Sequence, residues 1–309
     1  MIQEFFANGK LLISGEYLVL HGARALVVPL TLGQQMQVES PGEAQGSLIH
    51  WQASARDQVW FTAVISTVGW ELISSSDKEI AGRLIEILKA VDTLNNKLFE
   101  PRLNYRIKTN TQFNMNWGFG SSSALIANLA RWAGIDPFLL YFRVSEGSGA
   151  DLAAAISRGP VVYSLNGSQP VITNADFKPS FQDKIWFVYR GHKQNTAGNL
   201  TAFHGEGKSS AYDVEAISLL TDSMLKVTLL ADFEAVVRDH ERMISGVLGK
   251  KRIKEVLFDD FEGEVKSLGA WGGDFIMAVT SRQEDYVRAY FAGKGLQVII
   301  PFDTLVKYD

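Results

Sequence analysis

The stretch from Asn116 to Ser123, NWGFGSSS, runs straight into the apolar-periodic segment ALIANLARWAG, and this junction constrains the fold more than any other feature. Glycines at 118 and 120 open backbone conformations that are closed to other residues. The serines that follow suit a helix start. As plain structure, this is a turn feeding a capped helix. As chemistry, it aims backbone N–H groups and a positive dipole end at whatever lies in front, and phosphate fits that place. Both readings call for a strand, a tight glycine turn and a helix in succession.

A chain of 309 residues is too long for one ordinary core, so two domains or one large α/β unit are expected. Hydrophobic residues make up 46% and charged residues 21%, the balance of a soluble globular protein. A net charge of −4 gives no electrostatic reason to expect nucleic acid or an anionic membrane surface. The absence of cysteine excludes disulfides, a thiolate nucleophile and Cys-ligated metal. The opening residues MIQEFFANGK lack a basic n-region and a long apolar h-region. The most apolar stretch, Leu11 to Leu32, is broken by Glu16, Arg24 and Pro29. A cytoplasmic location with no membrane partner is the expectation.

Residues 4–14 and 17–20 are rich in β-formers, and the run from Ala25 passes into alternation around Met36 and Val38. Ser76 and Glu79 have capping-box spacing ahead of a helix whose Ile80, Leu84, Ile87, Leu88 and Val91 share one face. The glycine–serine junction predicts a helix from about Ser122 to Ala133, with Gly134 as its stop. Asp136 and Pro137 supply an N-cap and first-turn pair for a second helix, and Asp151 opens a third. Helical patterns fill 211–230 and 232–249, followed by a strand in FIMAVT and a helix in EDYVRAYFAGKG. The pattern predicts an α+β fold in two lobes. Asn166, Gly167, Pro170 and Pro179 loosen the pattern and place the seam after residue 165, giving domains 1–165 and 166–309.

Three further segments carry glycine at suggestive places. Residues 8–30, NGKLLISGEYLVLHGARALVVPL, read alone as a β-hairpin with a surface lysine. SLGAWGGDFIMAV, residues 267–279, reads alone as a tight turn before a buried strand, and GSGADLAAA occupies 147–155. In this order, together with GFGSSSA, they resemble the motifs of the GHMP kinase superfamily. The first segment is similar to that family's N-terminal motif, with Lys10 and Glu16 in register, and GFGSSSA resembles its ATP phosphate loop. GSGADLAAA resembles the block that holds the acidic catalytic residue, and GAWGGD the C-terminal glycine loop. The motifs span residues 8 to 274.

The resemblance implies a two-lobed α+β fold with the active site in the cleft between the lobes, using ATP and Mg²⁺. It implies ATP phosphates bound by Gly118, Phe119, Gly120, Ser121, Ser122 and Ser123, with Ser122 as the hydroxyl ligand to Mg²⁺. Asp151 would orient the acceptor oxygen, with Lys10 beside it to offset charge on the transferring phosphoryl group. The segment from Ser122 to Asp151 is shorter than in the mevalonate kinases, and Glu146 is the candidate for the Mg²⁺ carboxylate usually carried there. Asn8 stands where the family usually has proline.

Within the superfamily, KLLISGEYLVL, the GADLAAA block and the acidic end of GGD are more similar to the phosphomevalonate kinases than to the sugar kinases. HKQNTAGNL, residues 192–200, resembles the threonine-bearing loop of the mevalonate and phosphomevalonate kinases. This implies a small anionic acceptor, phosphomevalonate or mevalonate, met by Glu16, Lys193, Asn195, Thr196, Gly272 and Gly273. Arg143, Arg158 and His192 are further basic candidates. A sugar-1-kinase, another small-alcohol kinase and a non-catalytic nucleotide-binding relative remain alternatives, and a homodimer remains open. Trp117 and Trp271, beside two glycine loops, are open between packing and stacking on a base.

Overall fold

The computed structural model describes residues 2–40, 46–99, 103–191, 210–269, 271 and 274–308. The chain gathers into two compact units that do not follow a single cut. Unit 1 takes residues 1–9, 32–115 and 119–156, and unit 2 takes 10–31, 116–118 and 157–309. The division falls at 156/157 rather than 165/166, and two early segments belong with the C-terminal half. Apolar side chains from Tyr17 to Ala23 find their core partners there, which is the physical reason.

Unit 1 is a mixed sheet backed by helices. Its strands are the start of β1 (Ile2–Leu12), the second half of β2 (Ala25–Glu39), β3 (Leu48–Ala55), β4 (Gln58–Ser66), β5 (Glu71–Ser75) and β6 (Tyr105–Thr111). They lie in the order β5-β4-β3-β6-β2, with β1 on β2; β3 and β6 are parallel and β3–β4, β4–β5 and β2–β6 are antiparallel. The β3–β4 turn puts both Arg56 and Asp57 at positive φ, which matches the twist of a two-residue hairpin. Strand β6 alternates, with Tyr105, Ile107, Thr109 and Thr111 inward.

Helix α1 (Lys78–Leu94) buries Leu84, Ile87, Leu88 and Val91 as its periodicity predicts. Its cap is Asp77, not Ser76: the carboxylate accepts the N–H groups of Glu79 and Ile80. Ser76, just past the end of β5, is instead bonded to β4, where its hydroxyl accepts the Thr62 N–H at 3.0 Å. Helix α2 (Ser121–Ala133) ends at Gly134 with φ 64°, and α3 (Pro137–Val144) is capped by Asp136 as expected. Helix α4 (Ala150–Ile156) packs along α2. Met36, Ile49, Trp51, Leu88, Ile107 and Leu129 are among the buried residues of this unit's core.

Unit 2 begins with the first half of β2 paired to β7 (Val161–Asn166), which forms a hairpin with β8 (Gln169–Asn174). Its second sheet is antiparallel in the order β10-β11-β9-β12, from β9 (Ile185–Tyr189), β10 (Glu264–Ser267), β11 (Phe275–Val279) and β12 (Ile299–Pro301). Every residue of β11 is buried, which explains its unbroken apolar sequence. Around it lie α5 (Ala211–Lys226), α6 (Leu230–Leu248), α7 (Ile253–Leu257), α8 (Glu284–Gly293) and α9 (Phe302–Leu305).

The strand expected at 17–20 is instead a 3-10 turn, Leu18–His21. Gly15 (φ 85°) and Tyr17 (φ 61°) take left-handed conformations that break the extended run. Leu18 and Tyr17 then pack against Ile217, Ile244 and Val247 from α5 and α6. A Cβ at Gly15 would lie 2.6 Å from the Ala25 Cβ, so only glycine fits this close approach.

Candidate active site

The glycine–serine junction forms the turn that its residues predict. Gly118 (φ 66°) and Gly120 (φ 80°) are both left-handed, and Gly120 is the N-cap of α2. Glycine has no side chain to cap the first helical N–H groups, so this helix start lacks a side-chain cap. Ser122 is exposed and Ser121 half-buried in the first turn. Ser123 is buried and faces the interior, so its hydroxyl is not at an open anion site. Phe119 is also turned inward, its ring edge-on to Phe113 at 5.5 Å. A ligand in front of the turn can therefore meet Phe119 only through its backbone.

Within unit 1, β1 ties this turn to α4. A Cβ on Gly9 would lie 3.2 Å from the Phe119 carbonyl and 2.9 Å from the Leu32 carbonyl. The neighbouring Asn8 is buried, and its Nδ2 reaches toward the Ala155 carbonyl in α4 at 3.5 Å, a contact closed to a proline. Lys10, half-buried, is the next residue of β1 and the first of unit 2. Asp151, also half-buried, stands in the first turn of α4, where the helix dipole favours its charge.

Tyr141 is a member of this region that no sequence motif marks. Its hydroxyl lies under the loop that leads to Asp151, where a Cβ on Gly147 would meet it at 2.4 Å. Burial pushes the phenol above its ordinary range, and the Asp151 carboxylate pushes it further, while hydrogen bonds to Ser145 and the Gly149 backbone act the other way. Glu146, in the same loop, is exposed. Arg143 and Arg158 are exposed as well.

Within unit 2, residues 116–118 lie against the β9–β11 pair. The Trp117 ring packs edge-on to Phe275 at 5.8 Å and tilted on Tyr189 at 6.2 Å, which accounts for it as packing. The carboxylate of Asp274 presses on Gly118: a Cβ there would lie 2.0 Å from Asp274 Oδ2. The Arg190 N–H donates to the Asp274 carbonyl at 2.8 Å and holds that backbone to β9. Burial, and then the Asp274 carboxylate, push the Tyr189 hydroxyl up.

Glu16, expected at the substrate, is instead closed inside unit 2 at 0% exposure, beside Lys266 and His240. Lys266 Nζ pairs with Glu16 Oε1 and lies 3.8 Å from Glu241 Oε1. The Gly15 N–H donates to His240 Nε2 at 3.2 Å, which makes that nitrogen an acceptor and the ring neutral. Burial, and then Lys266, hold His240 well below the ordinary imidazole range. Burial pushes Glu241 up to about 7, Lys266 opposing and Glu16 adding to the rise. Two carboxylates and one ammonium cannot all stay ionised without water, so the cluster retains a proton. Trp271 is buried and donates its indole N–H to Glu241, a structural role.

Lys193, Asn195, Thr196, His192, Gly272 and Gly273 lie outside the described residues. Among the described residues, no group of three or more His, Cys, Asp or Glu is placed to hold a metal ion, and no helix is long and apolar enough to cross a membrane. A divalent cation here would need oxygens from a phosphate ligand, the usual arrangement for Mg²⁺. The exposed Ser122 hydroxyl and the glycine-built turn, with no Cβ to hold phosphates away, fit Mg²⁺ carried in with a nucleotide.

No protein-family model matches the chain, and no curated protein matches it in sequence. Solved structures do. A Lin0012 protein from Listeria innocua superposes with a TM-score of 0.72 at 15% identity, covering 97% of each chain. Phosphomevalonate kinase from Streptococcus pneumoniae, solved with phosphomevalonate and AMPPNP, gives 0.71 at 14% identity over 96% of this chain and 98% of that one. Mevalonate kinase from Methanococcus jannaschii gives 0.69 at 13% identity over 100% and 99%. Similarity over essentially whole chains leads to one conclusion: the protein has the GHMP-kinase fold.

Proposed function

We propose that the protein is an ATP-dependent small-molecule kinase that transfers the γ-phosphoryl group to a small anionic acceptor, phosphomevalonate or mevalonate. The observation that carries the reading is the turn from Gly118 to Ser122, two left-handed glycines entering a helix with no side-chain cap. Backbone N–H groups there cradle the nucleotide phosphates, and the α2 dipole favours their charge. Ser122 would hold, through its hydroxyl, the Mg²⁺ that arrives with the nucleotide, and the ion would supply charge neutralisation at the phosphates. Asp151 orients the acceptor oxygen and takes its proton where that oxygen is an alcohol, and Lys10 offsets the phosphoryl charge.

The acceptor class rests on branch resemblance and on the neighbours. The Streptococcus pneumoniae enzyme was solved with phosphomevalonate and AMPPNP. Lys193, Asn195 and Thr196 are the residues assigned to the acceptor's charge. A phosphate acceptor, with its second pKa near 6, arrives ionised and needs no strong base. The test is release of ADP by the purified protein with mevalonate, phosphomevalonate, homoserine and simple sugars. Turnover with either mevalonate compound is expected; turnover only with galactose or homoserine overturns the acceptor, and none with any alcohol or phosphate overturns the kinase.

A further inference from the structure

We infer that Asp274 is the carboxylate that meets the metal of Mg·ATP at the glycine turn, an inference that rests on the kinase reading above. Its Oδ2 occupies the space where a side chain on Gly118 would begin, 2.0 Å from the ideal Cβ position. Gly118 is therefore glycine for two reasons: its φ of 66°, and a carboxylate that leaves no room for a methyl group. The result is a fixed negative charge at the first residue of a turn whose other features favour anions.

A carboxylate in that place acts against a bare triphosphate, because like charges a few ångströms apart repel. A divalent cation reverses the sign. Asp274 would offer such a cation a carboxylate oxygen beside those of the phosphates, the ligand mix Mg²⁺ ordinarily takes in nucleotide sites. The side chain's position is set by its surroundings. The Arg190 N–H fixes its backbone to β9, and Tyr189 lies close enough to respond to its charge. Phe275, the next residue, is buried as the first residue of β11 and carries the Trp117 ring. Asp274 thus stands directly before β11, with its backbone held to β9, whereas Glu146, the carboxylate suggested by sequence, is exposed on a loop.

This assignment makes Asp274 a device for selecting Mg·ATP over metal-free nucleotide. The test measures ATP affinity by calorimetry with excess Mg²⁺ and again with EDTA, for the wild type, Asp274→Asn, Asp274→Ser and Glu146→Gln. Mn²⁺ replaces Mg²⁺ in a parallel titration read by electron paramagnetic resonance. The wild type is expected to prefer the metal complex. Asp274→Asn and Asp274→Ser should each reduce that preference at least tenfold, through weaker metal–nucleotide binding and equal or tighter binding of free ATP. Mn²⁺ in the ternary complex should show an altered signal. An unchanged preference in both folded Asp274 variants overturns the inference while leaving the kinase reading intact. Loss of preference in Glu146→Gln alone moves the role to Glu146. A wild type that binds no nucleotide under either condition overturns both.

Discussion

The indole N–H of Trp271 donates to Glu241 Oε1 at 3.0 Å, joining the C-terminal glycine loop to α6 inside unit 2. Both side chains are buried, and Glu241 in turn faces Lys266. A residue beside a glycine motif thus does structural work, and it does so through a group that the sequence does not connect to it. Trp271→Phe keeps the ring volume and removes the donor. The expected cost is about 1–3 kcal/mol, the penalty for a buried acceptor left short of a partner. Urea unfolding of the variant checks it. In Glu241→Leu, where that acceptor is gone, the same tryptophan change should cost clearly less.

The same cluster gives stability a pH dependence. Glu241 holds its proton up to about 7 in the fold, while an unfolded carboxyl releases it near 4.3. Between those values the native state binds more protons, so this group's contribution falls as pH rises and is spent above about 7. Glu16, also pushed up by burial, acts in the same direction, and buried neutral His240 acts oppositely below about 6.5, where the unfolded imidazole takes up a proton. Glu241→Gln removes one contribution only. Its stability relative to wild type should therefore improve from pH 5 to pH 8, by up to about 3 kcal/mol. Denaturant midpoints at several pH values measure this, and a pH-independent difference would contradict it.

Gly120→Val tests the phosphate turn. The residue sits at φ 80°, and a β-branched side chain there is strained by about 1–3 kcal/mol and also stands in front of the α2 N-terminus. The variant should remain folded by circular dichroism and lose ATP binding in calorimetry. A folded variant with unchanged affinity would remove the nucleotide from this turn.

Asp151 and Lys10 are expected to act as one catalytic unit. Asp151→Asn should lower kcat by about 10²–10⁴ on an alcohol acceptor and leave ATP affinity within a few-fold, because a base works in the transition state. Lys10→Met should also lower kcat, and the double variant should be little worse than the worse single one. Fully multiplicative losses would mean two independent residues. A much smaller Asp151→Asn effect with phosphomevalonate than with mevalonate is also expected, since the former arrives ionised.

Local chemistry made much of this molecule legible in its sequence. The two left-handed glycines before α2, the Gly134 stop, the Asp136 cap and the apolar face of α1 all follow from interactions within a few residues. The order of the glycine motifs along the chain likewise pointed to the fold. What lay beyond the sequence depends on contacts between distant segments. Glu16 reads in the sequence as an acceptor contact, and its burial beside Lys266, far along the chain, is not written near it. Ser76 loses the α1 cap to Asp77 because a strand claims its hydroxyl. Residues 10–31 join the C-terminal half because the apolar partners of Tyr17 and Leu18 lie on α5 and α6. Asp274 meets Gly118 only once β11 is in its sheet. Capping, turns and periodicity are written locally, while charge pairing and burial are properties of which segments the tertiary fold brings side by side.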